Sequence, residues 1–265
     1  MELIRLVIVL LTFGRFTEAV DFDYDIQGNI YVVDRAENAL VKYSPRGDSL
    51  LAVSGFGSET LQFDGPVAVA ARSANDIYVA DYNNHRIQRF DRTLDYVTTI
   101  YRRDDPDEQQ RFGYPRDIAV TRQGDLLIVD GENRRIMKID VFGNVAGVFG
   151  DINAGAGRLL NPSKIEVDGN DNVYVLDGPR LLQFDAFGSY VRDVPLLPNV
   201  TPVSISIDRD TLTVLDSAEI QFYDLVTGSF IMTYALDPLP TAARLTGGRV
   251  VVLRPRQGSV YGIDD

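Results

Sequence analysis

The stretch NDIYVADYNNHRIQRFD, residues 75–91, contains two short apolar runs joined by a polar segment. Both runs are rich in β-branched and aromatic residues, and both are too short for a helix. Asp81 ends the first run, where an Asp side chain can accept hydrogen bonds from backbone amides two or three residues further on. The stretch therefore predicts two strands joined by a tight turn.

The first of these runs recurs along the chain. The last residues of successive copies lie 47, 49, 47, 39 and 38 positions apart, a period that suits a blade of four short strands. Six copies therefore predict an all-β fold, a six-bladed β-propeller with four-stranded antiparallel blades around a central channel. The copies are NIYVVD (29–34), DIYVAD (76–81), DLLIVD (125–130), NVYVLD (172–177), TLTVLD (211–216) and RVVVLR (249–254).

Other apolar runs surround each copy and supply the remaining strands of a blade. Proline opens the preceding run in four repeats, and proline is tolerated at a strand's first residue because no ladder donor is needed there. These prolines are Pro66, Pro115, Pro162 and Pro202. The run that follows each copy is the third strand, and segments such as YVTTI (96–100) and FIMTY (230–234) are the fourth.

Two of the repeats, residues 75–91 and GDLLIVDGENRRIMKID (124–140), resemble NHL repeats. The resemblance covers residues 20–265 and implies a six-bladed propeller of the NHL type without implying an activity. The sequence departs from the pattern in blade 1, where the turn is one residue longer, and in blades 4–6, which lose the Asn and Arg of the turn. We interpret Asp81, Asn84, Asp130 and Asn133 as turn-forming residues, and His85 as a contact between blades.

The composition narrows the possible functions. The chain has 38 acidic and 26 basic side chains and a formal net charge of −12, so we expect no nucleic-acid partner. It has no cysteine and one histidine, which argues against thiolate sites and against zinc or copper sites built from several imidazoles. The absence of tryptophan argues against a quinone-cofactor propeller, whose aromatic platform the resemblance would imply.

Residues 1–19 allow two interpretations. In the first, Arg5, the apolar run at residues 6–13 and Ala19 form a signal peptide. In the second, the same run is the closing strand of blade 6. We favour export, which predicts a periplasmic or secreted protein, because this run is more apolar than any other fourth strand; a cytoplasmic protein is the alternative. No segment reaches the about 20 apolar residues that a transmembrane helix needs.

The first strand of each blade lies nearest the propeller axis, so its alternate side chains line the channel. The repeats align these positions at two and four residues after the proline. Intervening residues such as Phe22, Val69 and Ile118 are apolar, and we expect them to pack between blades. The charged residues predicted to line the channel are either binding residues or, as we favour, solvated side chains of a water-filled tunnel. They are Asp21, Asp23, Asp117, Lys164, Glu166 and Arg244.

Two classes of function stay open at this point. The first is a non-catalytic propeller that acts as a rigid binding scaffold for a protein, peptide or glycan, without a cofactor. The second is a calcium-dependent hydrolase or lactonase of the six-bladed gluconolactonase type, with Asp21, Asp117 and Glu166 as calcium ligands. Hypothetical partner-facing loops for the scaffold are DDPDEQQ (104–110) and GDINAGAG (150–157), because long loops on a rigid scaffold often carry recognition.

Overall fold

The structure is a computed structural model that describes residues 7–73, 75–216, 219–235 and 240–263. Residues 1–6 of the predicted export segment, including Arg5, lie outside the described residues, as does Asp264 at the end of the last predicted third strand. The described residues form six antiparallel sheets of four strands each and contain no α-helix. These sheets are the six blades that the repeat predicts, so the propeller fold is confirmed.

The strand bounds follow the repeat closely. The chain's first strand, β1 (Val7–Phe13), belongs to the sixth blade. Blade 1 holds β2 (Ala19–Tyr24), β3 (Ile30–Asp34), β4 (Ala39–Tyr43) and β5 (Ser49–Ser54). Blade 2 holds β6 (Pro66–Ala70), β7 (Asp76–Asp81), β8 (Arg86–Asp91) and β9 (Tyr96–Tyr101). Blade 3 holds β10 (Pro115–Val120), β11 (Leu126–Asp130), β12 (Arg135–Ile139) and β13 (Val145–Phe149).

The last three blades have the same composition. Blade 4 holds β14 (Pro162–Val167), β15 (Val173–Asp177), β16 (Arg180–Phe184) and β17 (Tyr190–Val194). Blade 5 holds β18 (Ser204–Asp208), β19 (Thr211–Leu215), β20 (Glu219–Asp224) and β21 (Phe230–Ala235). Blade 6 holds β22 (Ala242–Thr246), β23 (Arg249–Arg254) and β24 (Gln257–Ile263), followed in space by β1.

The sixth blade joins the two ends of the described chain. Strand β1 pairs antiparallel with β24, with Val9 opposite Tyr261 and Phe13 opposite Gly258. Phe13 is buried, and its ring centroid lies 5.4 Å from that of Tyr43 in blade 1. Residues 7–13 thus lie where the closing-strand interpretation puts them. Export and removal of residues 1–19 stays a prediction, because strand pairing does not report on processing in the cell.

The core lies in the gaps between blades. The buried apolar residues that the structure describes form six clusters, each shared by two neighbouring blades. The intervening residues of the first strands pack in these gaps as expected, and Phe22, Val69 and Ile118 are all buried. Strands such as β3 and β15 are buried at every position because a blade lies on both sides of them. This explains why they appear in the sequence as unbroken apolar runs rather than as alternating ones.

The Asp that ends a second strand has two structural roles. The side chain of Asp81 accepts hydrogen bonds from Asn84 Nδ2 and Arg86 Nε within its own turn, both at 2.8 Å. It also accepts one from the backbone N–H of Asp64, in the linker that precedes the same blade, at 2.8 Å. Asp130 makes the same set of contacts with Asn133, Arg135 and Gly113. The repeated Asp therefore forms the turn, as predicted, and also fixes the linker beside it.

Antiparallel strands give the propeller two distinct faces. Turns that join first to second strands and third to fourth strands lie on one face, which we call the turn face. Turns that join second to third strands, together with the linkers from one blade to the next, lie on the other, which we call the linker face. No helix among the described residues is long and apolar enough to span a membrane.

Candidate functional site

The six charged residues predicted from the first strands come together at the axis of the propeller. The side chains of Asp21, Asp23, Asp117 and Glu166 are at most 7% exposed. Arg72, which the sequence analysis did not select, joins them. We call this set of seven side chains the axial ion cluster; its members are Asp21, Asp23, Arg72, Asp117, Lys164, Glu166 and Arg244.

Arg244 reaches across the axis from blade 6. Its guanidinium forms an ion pair with Glu166 of blade 4. It also lies 3.9 Å from Asp23 Oδ1 and 4.0 Å from Asp21 Oδ1, both in blade 1. Its Nε donates a hydrogen bond to the carbonyl oxygen of Phe22 at 2.7 Å. One cation therefore connects three of the six blades.

Lys164 of blade 4 lies between two carboxylates. Its Nζ is 3.8 Å from Asp21 Oδ1 and 3.9 Å from Asp117 Oδ1. Burial disfavours the charge of Lys164, but the two carboxylates outweigh this effect and raise its pKa above the ordinary value. Blades 1 and 3 are thus linked through an ammonium group of blade 4.

Arg72 extends the cluster from blade 2. Its Nε lies 3.3 Å from Asp23 Oδ1, its Nη1 lies 3.4 Å from Glu166 Oε2, and Nη1 also donates a hydrogen bond to the carbonyl oxygen of Ile207 at 3.1 Å. Arg72 stands two residues after β6 and beyond the aligned channel positions, which in this blade hold Ala68 and Ala70. Blade 2 is the one blade whose two aligned positions are both alanine, and this was the available signal that another residue reaches the axis.

The carboxylates also bind the backbone of the next blade. Asp21 Oδ2 accepts a hydrogen bond from the N–H of Val69 at 3.0 Å, and Asp117 Oδ2 accepts one from Ile165 at 2.9 Å. Asp23 Oδ2 makes the corresponding bond with Ala71 at 2.8 Å. The inner strand of each blade is a sheet edge, whose N–H groups need acceptors when they are buried. One oxygen of each carboxylate supplies this acceptor, while the other faces a cation.

The axial ion cluster has four carboxyl groups and three cationic side chains. Asp117 is the carboxyl group that we assign as protonated. Burial, with a smaller effect from the charge of Asp21, raises the pKa of Asp117 to about 7 despite the nearby Lys164. The charges of Glu166, Asp23 and Asp21 overcome burial and raise the pKa of Arg244 well above its ordinary value. With Asp117 protonated, three carboxylates face three cations, so the cluster is electrically balanced.

The arrangement does not provide the calcium site considered from the sequence. A calcium ion takes about 6–8 oxygen ligands, whereas Asp21, Asp117 and Glu166 each face Lys164 or Arg244. No group of three or more Asp, Glu, His or Cys side chains within the described residues is arranged to hold a metal ion. The cavity beside the cluster measures about 30 Å³, room for only one or two water molecules. The donor set therefore does not fit calcium.

A wider basin of about 430 Å³ opens at the axis on the turn face. Two carboxylates at its wall are used within their own turns. Asp25 accepts hydrogen bonds from the N–H groups of Gln27 and Asn29 and from the Tyr31 hydroxyl. Asp168 has the same pattern in blade 4. These acids shape the turns and are not free to act as a base or a nucleophile.

A second polar cluster lies on the linker face, where blades 2 and 3 meet. We call it the junction cluster; it consists of Tyr82, His85, Arg103 and Tyr114. His85 Nδ1 accepts a hydrogen bond from Arg103 Nη1 at 2.6 Å and one from the Tyr114 N–H at 3.1 Å. Because both partners can only donate, the imidazole is neutral with its proton on Nε2. Burial, and then the charge of Arg103, lower the pKa of His85. His85 is the contact between blades that we inferred from the sequence.

Tyr114 has a strained backbone in this cluster. Its φ is +49°, and the corresponding residue of the preceding blade is Gly65 with φ +65°. Bulky residues rarely adopt this conformation, which costs on the order of 1–3 kcal/mol and persists only when the surroundings enforce it. The His85 ring lies 4.1 Å from the Tyr114 ring, and the Arg103 guanidinium lies 5.3 Å from it. Tyr114 is nevertheless 36% exposed.

Comparison with known proteins identifies the repeat. Residues 63–90 match the family model of the NHL repeat. The chain is 32% identical over 141 residues to the protein brain tumor of Drosophila melanogaster, a match that covers 52% of this chain and 13% of that protein. It is 31% identical to the B-box type zinc finger protein ncl-1 of Caenorhabditis elegans, with 36% of this chain and 16% of that protein covered. The chain thus matches less than a fifth of the length of these two relatives.

Solved structures extend the similarity over nearly the whole chain. Virginiamycin B lyase from Staphylococcus aureus matches with a TM-score of 0.68 and 14% identity, covering 97% of this chain and 99% of that one. A gluconolactonase from Xanthomonas campestris matches with a TM-score of 0.72 and 12% identity, covering 97% of this chain and 89% of that one. At such low identity the likeness concerns the fold alone.

The first prediction concerns Arg244. Replacing it by methionine keeps an extended apolar side chain and removes the charge. We expect the free energy of unfolding to fall by about 3–5 kcal/mol, because Glu166 and Asp23 stay buried without this cation. Equilibrium urea unfolding measures the change. Arg209→Met is the matched control, since Arg209 is exposed on the turn face and should change stability by no more than about 0.5 kcal/mol. Equal stability of the two variants would contradict a stabilising cluster.

The second prediction concerns pH. The pKa of Asp117 is about 7 in the folded chain and about 4 in the unfolded one, so the folded chain binds more protons between these values. The stability this carboxyl contributes is therefore present at acid pH and lost as pH rises through 7. Relative to Asp117→Asn, the wild type should lose about 2 kcal/mol between about pH 5 and pH 8.

Urea unfolding of both proteins at several pH values measures this difference. Glu108→Gln is the control, since the Glu108 side chain is 85% exposed and its removal should leave the pH profile of the wild type unchanged. Parallel profiles for the wild type and Asp117→Asn would contradict the assignment of the excess proton to Asp117.

Proposed function

We propose that this NHL-repeat β-propeller is a non-catalytic binding scaffold whose linker face docks a partner protein. The observation that carries the proposal is a contrast between two groups of polar side chains, one at the axis and one on the linker face. At the axis, the charged groups face one another in the axial ion cluster. On the linker face, the junction cluster holds Tyr114 in a strained and partly exposed position.

The two longest linkers lie on the same face. They run from β9 to β10 and from β13 to β14, and each contains a short 3-10 turn, at Glu108–Gln110 and Gly155–Gly157. Ile152, which is 70% exposed, and Leu160, which is 54% exposed, add apolar surface to the second linker. Binding residues are concentrated on loops that a rigid scaffold positions. These linkers support the linker face as the partner-facing side.

The junction cluster has the character of a binding hot spot. Tyrosine and arginine dominate such spots because they combine large contact area with hydrogen-bonding groups. Here Arg103 is fixed by His85 and by Glu132, and the Tyr114 backbone is fixed by His85. The side chains are therefore preorganised before a partner arrives, which lowers the entropy lost on binding.

The partner is a protein or peptide with a basic surface opposite the first long linker. That linker has four acidic and three basic side chains, and the chain as a whole has a formal net charge of −12. Complementary charge increases association rates and selects against acidic partners. The gluconolactonase-like alternative has only the shared fold in its favour, since the axial carboxylates face cations of the chain itself.

Site-specific photo-crosslinking tests the proposal. A photoreactive phenylalanine derivative replaces Ile152 on the linker face or, as the matched control, Phe187, which is 93% exposed on the turn face. We expect a discrete adduct with a partner protein from position 152 in the native cell and none from position 187. The purified partner should then bind Tyr114→Ala at least about tenfold more weakly than the wild type. Adducts from position 187 alone, or unchanged binding to Tyr114→Ala, would contradict the proposal.

A further inference from the structure

The gap between blades 2 and 3 contains a groove that is separate from the axial ion cluster and the junction cluster. It opens on the side of the propeller and has a volume of about 380 Å³. Its wall is mixed: Tyr78 and Ile100 from blade 2 and Leu126 and Ile139 from blade 3 form the apolar part, and the polar part comes from Arg89, Thr98, Thr99, Arg102 and Asp140. Phe142, in the turn after β12, lies at the rim and is 86% exposed.

The groove lies beside a position where blade 3 has no aromatic ring, whereas three blades have two rings there and blades 1 and 6 have one, Tyr43 and Tyr261. In three other blades the end of the third strand and the start of the fourth carry two rings in contact across the strands. Their centroids are 6.5 Å apart for Phe90 and Tyr96, 6.2 Å for Phe184 and Tyr190, and 5.8 Å for Tyr223 and Phe230. In blade 3 the paired residues at these positions are Ile139 and Val145.

The side chain at the end of each third strand faces the preceding blade. Phe90 packs in the cluster shared by blades 1 and 2, and Phe184 packs in the cluster shared by blades 3 and 4. Ile139 packs in the cluster shared by blades 2 and 3, beside the groove. Aliphatic side chains in place of two rings leave volume that the ring pair occupies in blades 2, 4 and 5. Blade 3 has no ring at either of the two positions.

We propose that this groove docks an aromatic side chain from an extended peptide segment of a partner protein. The incoming ring would take the place that Phe90 or Phe184 takes in its own gap. The groove opens on the side of the propeller and not on the linker face. Its occupant is therefore a second partner segment, distinct from the partner proposed for the linker face.

The surroundings of the groove fit an extended peptide. Strand β9 is the outermost strand of its sheet and borders the groove, with Thr98 and Thr99 in the wall. An outer strand offers main-chain N–H and C=O groups to an added strand. Aromatic anchors in well-shaped apolar sites contribute most of the affinity in such complexes. The peptide's backbone would pair along β9 while its ring fills the groove.

The polar rim disfavours a basic peptide. Arg89 and Arg102 line the groove, where each has one acidic partner, Asp76 and Asp105 respectively. Asp140 also lines it, but the carboxylate accepts hydrogen bonds from the N–H groups of Phe142 and Asn144 within its own turn. An uncharged or acidic sequence around the aromatic residue is expected.

The test uses the absence of tryptophan from this chain, which makes the fluorescence of a tryptophan-containing peptide a specific signal. The probe is the acetylated and amidated peptide Asp-Thr-Val-Trp-Val-Thr-Asp, titrated with the full-length protein. The double variant Ile139→Phe/Val145→Tyr supplies the ring pair of blade 2 and fills the groove. Val191→Tyr is the matched control, because it adds a ring at a half-exposed position of β17 in blade 4.

We expect a blue shift of the tryptophan emission with the wild type and with Val191→Tyr, and at least a tenfold loss of affinity with the double variant. A second readout needs no ligand: the double variant should melt at a higher temperature than the wild type, because two rings become buried in available space. A rise of about 2 °C or more is expected.

Three results would overturn the proposal. The first is equal binding of the peptide to the wild type and the double variant, or no binding to the wild type at about 1 mM peptide, the concentration at which a weak site is half filled. The second is a lower melting temperature of the double variant, which would mean that the groove is not available space. The third is self-association of the wild type that the double variant loses, which would make a second copy of this chain the occupant.

Discussion

The inner strands of six blades meet at one axis, and the rest of the structure depends on how their polar groups are satisfied there. Each inner strand is the edge of its sheet, so its N–H groups face the axis without a neighbouring strand. Carboxylates of one blade accept hydrogen bonds from the next blade's backbone, as Asp21 does from Val69. The negative charges thus gathered need compensation, and Arg72, Lys164 and Arg244 provide it from three different blades. These carboxylates and cations therefore both connect neighbouring blades and fill the channel.

Because the axial charges are paired with one another, we propose that recognition takes place on the outside of the propeller. Charged residues at the axis suggest a ligand site when they are seen in the sequence, but here they bind one another. The linker face differs from the axis. There Tyr114 has a positive φ at a position where the preceding blade has a glycine, and its side chain is partly exposed. The side groove between blades 2 and 3 differs again, because aliphatic residues stand where neighbouring blades have rings. In both places the repeat departs from its own pattern, and we place binding at those departures.

Much of the fold could be predicted from the sequence, for identifiable reasons. The second strands are buried on both sides, so they stand out as unbroken apolar runs such as IYVVD and VYVLD. The alternation within first strands placed Asp21, Asp117 and Glu166 at the axis. It also placed Lys164 and Arg244 there, but which carboxylate each contacts could not be predicted, because Arg244 and Glu166 are separated by 78 residues and meet only when the ring closes. Arg72 was missed because it stands two residues after the end of β6, beyond the two aligned channel positions. The groove was missed although its signal, KID where blades 2 and 4 have RFD and QFD, is visible in the sequence.

The chain's own cations occupy the axis of this propeller, and on this ground we propose a binding scaffold rather than a channel-based, calcium-dependent enzyme. Calcium titration by isothermal calorimetry, with the melting temperature followed in parallel, tests it most directly. We predict no saturable heat and no shift in melting temperature up to about 5 mM calcium, because Arg72, Lys164 and Arg244 already face the axial carboxylates. Saturable binding of one ion, weakened by Asp21→Asn and accompanied by a higher melting temperature, would contradict it.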